Sequence, residues 1–175
     1  MPDVKIELVA QRSGPVRSAQ GVEVIAKLEY DELNDPDIIL VPGGMGTRTL
    51  AHDKSFLSWL TDIGNRSKVV ASVCTGSALL AAAGLLESHR ATSNKLAFEW
   101  ASSFGDDVSW EYHARWVHDG CRWTSSGVAA GIDMAAALIG HLFGQKVQTE
   151  VAKRVEYQPQ TNSTVDPFAR FQGPR

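Results

Sequence analysis

The stretch VVASVCTGSALLAAAGLL, from Val69 to Leu86, is the part of the sequence that decides the fold. It begins with a short apolar run, which is typical of a strand buried on both faces of a parallel sheet. It continues with small residues and leucines that predict a helix, and Gly84 is placed to end that helix. Cys74 stands at the joint between them. Two interpretations of this thiol follow: a nucleophile, or a small buried residue.

Strands and helices alternate on both sides of this joint. The segment DIILVPGG (37–44) predicts a second buried strand that ends in a tight glycine loop. Apolar spacing predicts a helix over Asp53–Arg66 with Asp53 as its N-cap. Similar patterns predict strands at Val4–Ala10, Val22–Leu28, 108–112 and 114–127, the last with a turn at HDG, and helices at 94–105, Val128–Gly144 and 145–157. This alternation predicts an α/β doubly wound sheet, whose ligands bind at the carboxyl ends of the strands.

Length and composition restrict the class of protein. The 175 residues fit one domain, over residues 1–168, followed by an irregular tail at 169–175. The net charge of −3 and the lack of basic runs argue against nucleic-acid and membrane-surface binding, and no apolar stretch is long enough to span a membrane. The cysteines lack metal-site spacing, and GGMGTRT lacks the third glycine of a dinucleotide loop, so we expect no metal and no cofactor. Two cysteines without a disulfide framework indicate a cytoplasmic protein.

The position of Cys74 favours chemistry. Backbone N–H groups at a helix start have no partner within the helix and favour an anion, and the thiolate is the nucleophilic form of cysteine. Gly76 relieves crowding in a sharp turn, which gives a nucleophile elbow with sulfur in place of oxygen. The N–H of Thr75 would face a developing oxyanion, and an N–H of Gly43 or Gly44 would be the second donor.

The alternative reading is that Cys74 is a buried small hydrophobe, as most free cysteines are. Its place at the strand–helix joint, with a second glycine-rich strand end expected nearby, favours the functional interpretation. Cys121 has no helix after it and is interpreted as a packed residue of a hairpin strand.

Several segments resemble the ThiJ/PfpI superfamily of class I glutamine amidotransferase-like folds. They are DIILVPGGMGT (37–47), VVASVCTGSALLAAAGLLESHRAT (69–92) and RWVHDGCRWTSSGVAAGIDMAAALIGHLFG (115–144), followed by VAKRVEY and DPF. The resemblance covers about residues 2–168 and implies a flavodoxin-like three-layer sandwich with a mostly parallel central sheet. The Cys-Thr-Gly elbow is most similar to the isonitrile hydratase branch, and the same domain occurs fused to AraC-type regulators.

The resemblance also implies roles for individual residues. Cys74 matches the family nucleophile, and Thr75 matches the next residue, whose N–H and, in this branch, hydroxyl face the site. Gly44 matches the glycine that completes the anion pocket. Gly127 and the following AAGID segment match the loop and helix start beside the elbow. The family commonly forms homodimers, needs no cofactor and acts on small electrophilic molecules.

Two features of the family are absent from this sequence. Members usually open with a further strand, a loop with a Glu or Asp that hydrogen-bonds the cysteine, and a helix, about 30 residues in all. Here the sequence begins at what resembles the second strand, so no matching carboxylate can be named; a shortened start, a fragment of a longer product, or another subunit would account for this, and we favour a shortened start. Many members also place a histidine where this chain has Asn94, so no Cys–His dyad is predicted.

Three functions are compatible with these residues. The first is hydration of an isonitrile to an N-substituted formamide by the Cys74 thiolate, as the resemblance implies. The second is glyoxalase or deglycase action on 2-oxoaldehydes. The third is not catalytic: a thiolate at this position also suits reversible oxidation, so the protein would act as a redox sensor or a ligand-binding protein.

Overall fold

The computed structural model describes residues 4–170, so residues 171–175 of the expected tail lie outside the described residues. The ten strands in the described part are β1 (Val9–Ala10), β2 (Gly14–Arg17), β3 (Glu23–Ala26), β4 (Leu28–Glu29), β5 (Ile38–Val41), β6 (Val69–Val73), β7 (Arg90–Ala91), β8 (Ser109–Trp110), β9 (Trp116–Asp119) and β10 (Arg122–Ser125).

The α-helices over the same residues are α1 (Thr47–Leu50), α2 (Lys54–Arg66), α3 (Gly76–Ala82), α4 (Phe98–Ala101), α5 (Val128–Phe143) and α6 (Gln145–Arg154). Short 3₁₀ turns lie at Tyr30–Glu32, Lys95–Ala97 and Pro167–Arg170. None of the described helices is long and apolar enough to cross a membrane.

The central sheet has the order β5-β6-β10-β9, in which β5, β6 and β10 are parallel and β9 is antiparallel. Successive residues of β6 point to opposite faces, as a buried strand requires. Val70 packs with α2 and α3 on one face, whereas Val69 and Ala71 pack with Met134 of α5 on the other. The predicted three-layer α/β sandwich is therefore confirmed.

The N-terminal region differs from the prediction. Strand structure within Val4–Ala10 is limited to β1, and the segment between the two predicted strands contains β2, which pairs with β3 as an antiparallel hairpin. Gly14 and Pro15 made this segment read as a loop, but a two-stranded hairpin has open edges that tolerate proline.

Strand β5 is an edge of the central sheet, although its sequence reads as a strand buried on both faces. Ile39 and Val41 are buried against α2 and α3, but Ile38 and Leu40 remain 37% and 49% exposed. On that face α5 packs mainly over β6, β9 and β10. The side chains of β5 that point to it are therefore partly exposed.

The predicted helix ends are mostly confirmed. The Asp53 carboxylate accepts hydrogen bonds from the N–H groups of Ser55 and Phe56 at 3.0 and 3.1 Å, and Gly84 adopts a positive φ of 72° just after α3. The predicted 94–105 helix is shorter, because a 3₁₀ turn capped by Asn94 precedes the four-residue α4.

The interpretation of Cys121 as a packed strand residue is wrong. Cys121 is exposed and lies with Gly120 in the two-residue turn between β9 and β10.

Candidate active site

The chain makes a sharp turn at Cys74, between the end of β6 and the start of α3. Cys74 has a φ of 58°, in the left-handed region that non-glycine residues rarely adopt. Such a conformation costs of order 1–3 kcal/mol and persists only where the surrounding structure holds it. Cys74 is partly exposed and is a free thiol. The predicted elbow at Cys74 is therefore present in the backbone.

Hydrogen bonds on both sides of the Cys74 residue hold this conformation. Its N–H donates to the carbonyls of Ser125 and Ser126 at 3.1 and 3.0 Å, at the end of β10. Its carbonyl accepts from the hydroxyls of Ser77 and Ser93 at 3.0 and 3.1 Å. The elbow is thus held by α3, by β10 and by the segment after β7.

The loop after β5 lies directly against the elbow. A Cβ added to Gly43 would lie 2.7 Å from the Thr75 nitrogen and 2.8 Å from Cys74 Cβ. A Cβ on Gly76 would lie 3.0 Å from the Pro42 carbonyl oxygen and nearer still to that of Val41. Both positions leave room for glycine only, so the predicted closeness of the two glycine loops is confirmed.

Gly44 lies in the same loop, but its N–H is occupied. It donates to Thr75 Oγ1 at 3.0 Å. Thr47 supports the arrangement, because its hydroxyl donates to the Gly44 carbonyl at 2.7 Å and lies 3.2 Å from Thr75 Oγ1. The Thr75 N–H has no acceptor among residues 4–170. The structure therefore brings Gly43, Gly44 and Thr75 together with Cys74, while their roles toward a substrate stay predictions.

Gly127 lies at the N-cap of α5, one residue beyond Ser126. A Cβ added to it would lie 3.4 Å from Asn94 Nδ2. One turn later in α5, a Cβ on Gly131 would lie 2.8 Å from Val73 Cγ1. The start of α5 thus packs closely beside the elbow, where the resemblance placed it.

Asn94 occupies the position where many family members have a histidine. Its Oδ1 accepts from the Ala97 N–H at 3.1 Å, which caps the 3₁₀ turn. Within residues 4–170, no histidine or carboxylate forms a hydrogen bond with Cys74 Sγ.

A cavity of about 380 Å³ lies at the first turn of α5, and neither Cys74 nor Thr75 lines it. Its wall includes Ser126, whose carbonyl holds the Cys74 N–H, and the first turn of α5. The polar residues that line it are Asn94, Lys95, Arg115, Ser126 and Asp166. This volume suits a small organic molecule.

Four charged side chains form a buried ion cluster: Lys95, Arg115 and Asp166, which line this cavity, and Asp133. Arg115 donates through Nε to Asp133 Oδ2 at 2.7 Å, and its Nη1 lies 3.6 Å from Asp166. Lys95 Nζ lies 3.9 Å from Asp166. None of the four side chains is more than 8% exposed. The cluster balances two positive and two negative charges, as burial requires.

Two titrating groups of this region have shifted pKa values. Burial lowers the pKa of Lys95 to about 8, although the nearby Asp166 carboxylate acts in the opposite direction. The hydrogen bond from Tyr157 to Asp133, at 2.7 Å, raises the pKa of Tyr157 because it stabilises the protonated phenol.

The sequence did not identify the residues that support the elbow. Ser93 and Ser126 are polar residues in loops, and nothing in their pattern separates them from solvated serines. Asp133 did carry a signal, because a lone acid in the apolar helix VAAGIDMAAALI requires a buried partner.

The described residues contain no group of three or more His, Cys, Asp or Glu side chains that could hold a metal ion. This finding concerns only residues 4–170.

Most of this sequence is similar to the sequences of curated proteins. It is 34% identical to an isonitrile hydratase from Pseudomonas putida over 91% of this chain and 68% of that protein. It is 28% identical to the HTH-type transcriptional regulator CdhR from Pseudomonas aeruginosa, over 81% of this chain and 41% of the regulator. The chain therefore spans about two thirds of the first protein and less than half of the second.

Solved structures have the same fold. A ThiJ/PfpI family protein from Pseudomonas syringae superposes with a TM-score of 0.81 at 34% identity, over 90% of this chain and 64% of that chain. DJ-1beta from Drosophila melanogaster superposes with a TM-score of 0.72 at 20% identity, over 83% and 79% of the two chains. The second likeness concerns the fold alone.

The pattern of the DJ-1/PfpI family matches residues 2–141, which include the glycine loop, the Cys74 elbow and most of α5. With the match over most of the chain, the elbow geometry and the 34% identity to a curated relative, the chain belongs to the DJ-1/PfpI family.

Proposed function

We propose that this protein is a cysteine-dependent enzyme that hydrates an isonitrile to an N-substituted formamide, with the Cys74 thiol as nucleophile. The observation that carries the proposal is the strained Cys74 elbow, with φ at 58° and hydrogen bonds on both its backbone N–H and its carbonyl. The identity of 34% to the isonitrile hydratase of Pseudomonas putida supports this choice of substrate.

The proposed reaction balances without any cofactor. Addition of the thiol to the terminal carbon of R–N≡C forms an S–C bond, and the thiol proton ends on that carbon, which gives a thioimidate. Water then adds to the same carbon, the S–C bond breaks and the thiol is released. The sum is R–NC plus water to R–NH–CHO.

Charge develops on the incoming oxygen in the second step, and N–H donors would stabilise it. In the proposal the Thr75 N–H, which has no acceptor among the described residues, is one donor. The Gly44 N–H donates to Thr75 Oγ1, so it would reach the substrate oxygen only if the Thr75 hydroxyl rotated away. In the other arrangement the Gly44 N–H orients the Thr75 hydroxyl, and that hydroxyl is the second donor to the substrate oxygen. In the proposal the Gly43 N–H is the alternative second donor, and Gly127 lines the cavity at the start of α5.

The proposal is tested with purified protein and a simple alkyl isonitrile, with formamide production followed by chromatography. Replacement of Cys74 by Ala abolishes turnover, and Cys74→Ser lowers it strongly, because a hydroxyl is a weaker nucleophile at neutral pH. Cys121→Ala is the matched control and keeps turnover, since Cys121 is exposed in the β9–β10 turn. Undiminished turnover in the Cys74→Ala protein would end the proposal.

The same samples separate the alternatives. Turnover of methylglyoxal without turnover of the isonitrile favours the glyoxalase or deglycase function. Selective oxidation of Cys74 by mild peroxide, seen by mass spectrometry and without turnover of either compound, favours redox sensing.

The homodimer and the cytoplasmic location stay part of the proposal. Val128 and Ile132 of α5 are 78% and 51% exposed, and a second copy would cover such apolar side chains. The two free thiols suit a reducing compartment. Light scattering at two protein concentrations tests the dimer.

A further inference from the structure

We propose that Lys95 is a positioning residue for Cys74. Its ammonium group holds the Ser93 backbone, and the Ser93 hydroxyl holds the Cys74 carbonyl in the strained conformation that presents the thiol. The inference rests on the proposed function in one respect, namely that Cys74 is a reactive thiol.

The contacts of Lys95 lead to the elbow in two steps. Lys95 Nζ donates to Thr92 Oγ1 at 3.0 Å, to the Ala114 carbonyl at 2.7 Å and to the Ser93 carbonyl at 3.4 Å. Ser93 Oγ then donates to the Cys74 carbonyl at 3.1 Å. Ser93 is fully buried, so water does not replace Lys95 there.

The ammonium group of Lys95 is buried, and burial of a charged group is unfavourable unless the group has partners. The Lys95 side chain is only 3% exposed and has Asp166 at 3.9 Å as its nearest counter-charge. Arg115 faces the other side of Asp166 at 3.6 Å, and the ring of Tyr112 lies with its centre 5.5 Å from Nζ. A lysine that serves only for packing buries its methylene stem and keeps its ammonium group in solvent. Here all three donors of the head group are used on backbone and hydroxyl acceptors.

Deprotonation removes one of those three donors. A neutral amine has two N–H groups for three acceptors, and the longest bond, to the Ser93 carbonyl, is the one given up. Because burial lowers the pKa of Lys95 to about 8, this change falls within the range in which a thiol can be assayed. The Ser93 support of the elbow therefore weakens above about pH 8.

The experiment measures the rate of alkylation of Cys74 by iodoacetamide between about pH 6.5 and 9.5, with mass spectrometry that resolves the two cysteine peptides. Cys121, exposed in the β9–β10 turn, is the internal reference. In the native protein the ratio of the Cys74 rate to the Cys121 rate falls above about pH 8, as Lys95 loses its proton.

Four variants test whether Lys95 causes the fall of the Cys74 alkylation rate, relative to that of Cys121, above about pH 8. Lys95→Met slows Cys74 alkylation about tenfold at neutral pH and removes the alkaline fall. Lys95→Arg, which keeps its charge at every pH used, restores the neutral rate without the fall. Asp166→Asn moves the fall to lower pH, because the Asp166 charge raises the pKa of Lys95. Lys68→Met removes an exposed lysine that pairs with the exposed Asp37, and it leaves the Cys74 rate and its pH profile unchanged.

Ser93→Ala keeps Lys95 and cuts the last link to Cys74, so it also serves if Lys95→Met fails to fold. It gives the same low and flat ratio of the two rates, and combining it with Lys95→Met adds nothing further. Native-like profiles in both single variants would overturn the inference while leaving the proposed function intact. A native Cys74 that reacts no faster than Cys121 would overturn both.

Discussion

Cys74 and the glycines around it carry the strain of the site. A cysteine at a φ of 58° has an energetic cost that glycine would avoid, and the surrounding structure holds it there. The neighbouring residues compensate by being small, since Gly43 and Gly76 allow the loop after β5 to touch the elbow. The conformation of one residue therefore depends on the absence of side chains at two others.

Gly76→Ala tests this dependence. The new Cβ would overlap the Val41 carbonyl and lie 3.0 Å from the Pro42 carbonyl, and backbone atoms cannot move aside cheaply. We expect a loss of about 1–3 kcal/mol in the free energy of unfolding, measured by urea titration. Gly46→Ala is the control, because that Cβ meets nothing within 4 Å, and its effect stays below about 1 kcal/mol. Equal stability of the two variants would contradict the close approach.

At the scale of elements, α5 connects the site to the C-terminal segment. Asp133, fully buried in this helix, binds Arg115 from the start of β9. The other carboxylate oxygen accepts from Tyr157 Oη at 2.7 Å and from the Gln160 N–H at 2.8 Å. The Arg115 carbonyl accepts from the Ser126 N–H, and the Ser126 carbonyl accepts from the Cys74 N–H. Helix α5, Arg115 and the segment after α6 are therefore connected to the elbow through Ser126.

Asp133→Ala is expected to destabilise the protein by about 3–5 kcal/mol, because it leaves the buried Arg115 guanidinium without its main partner. The measurement is again the free energy of unfolding. Asp62→Ala removes an exposed acid that pairs with Arg66 on α2, and its effect stays within about 0.5 kcal/mol. If the two variants lost the same stability, the ion cluster would not be structural.

For the whole molecule, the buried Lys95 links folding to pH. The folded-state pKa of about 8 lies below the ordinary 10.5, so between these values the unfolded chain binds more protons. The free energy of unfolding therefore rises with pH through that window. The free energy of unfolding rises because a neutral Lys95 is less unfavourable to bury than a charged one. The global stability can rise in this way while the single hydrogen bond from Lys95 to the Ser93 carbonyl weakens.

The prediction is made for the difference between two proteins, because other groups titrate in the same range. The free energy of unfolding of the native protein, minus that of Lys95→Met, increases between about pH 8 and 9.5 and is constant below about pH 7. Chemical denaturation at a series of pH values provides the measurement. A difference that stays constant throughout would show that Lys95 does not titrate in this window.

The sequence by itself determined the local parts of this protein: the strands β5 and β6, the Asp53 cap of α2, the glycine loop and the cysteine joint. These depend on periodicity, capping and turn chemistry, which act over a few residues. Only the tertiary structure decided what surrounds the joint. The polar residues around it come from three separate segments of the chain, which contain Ser93 with Lys95, Ser126, and Asp166. The role of such a polar residue is not visible in the sequence, because it depends on the partner beside which folding buries it. The short β1–β4 and β2–β3 pairings escaped prediction for the same reason, because pairing between strands is a non-local property.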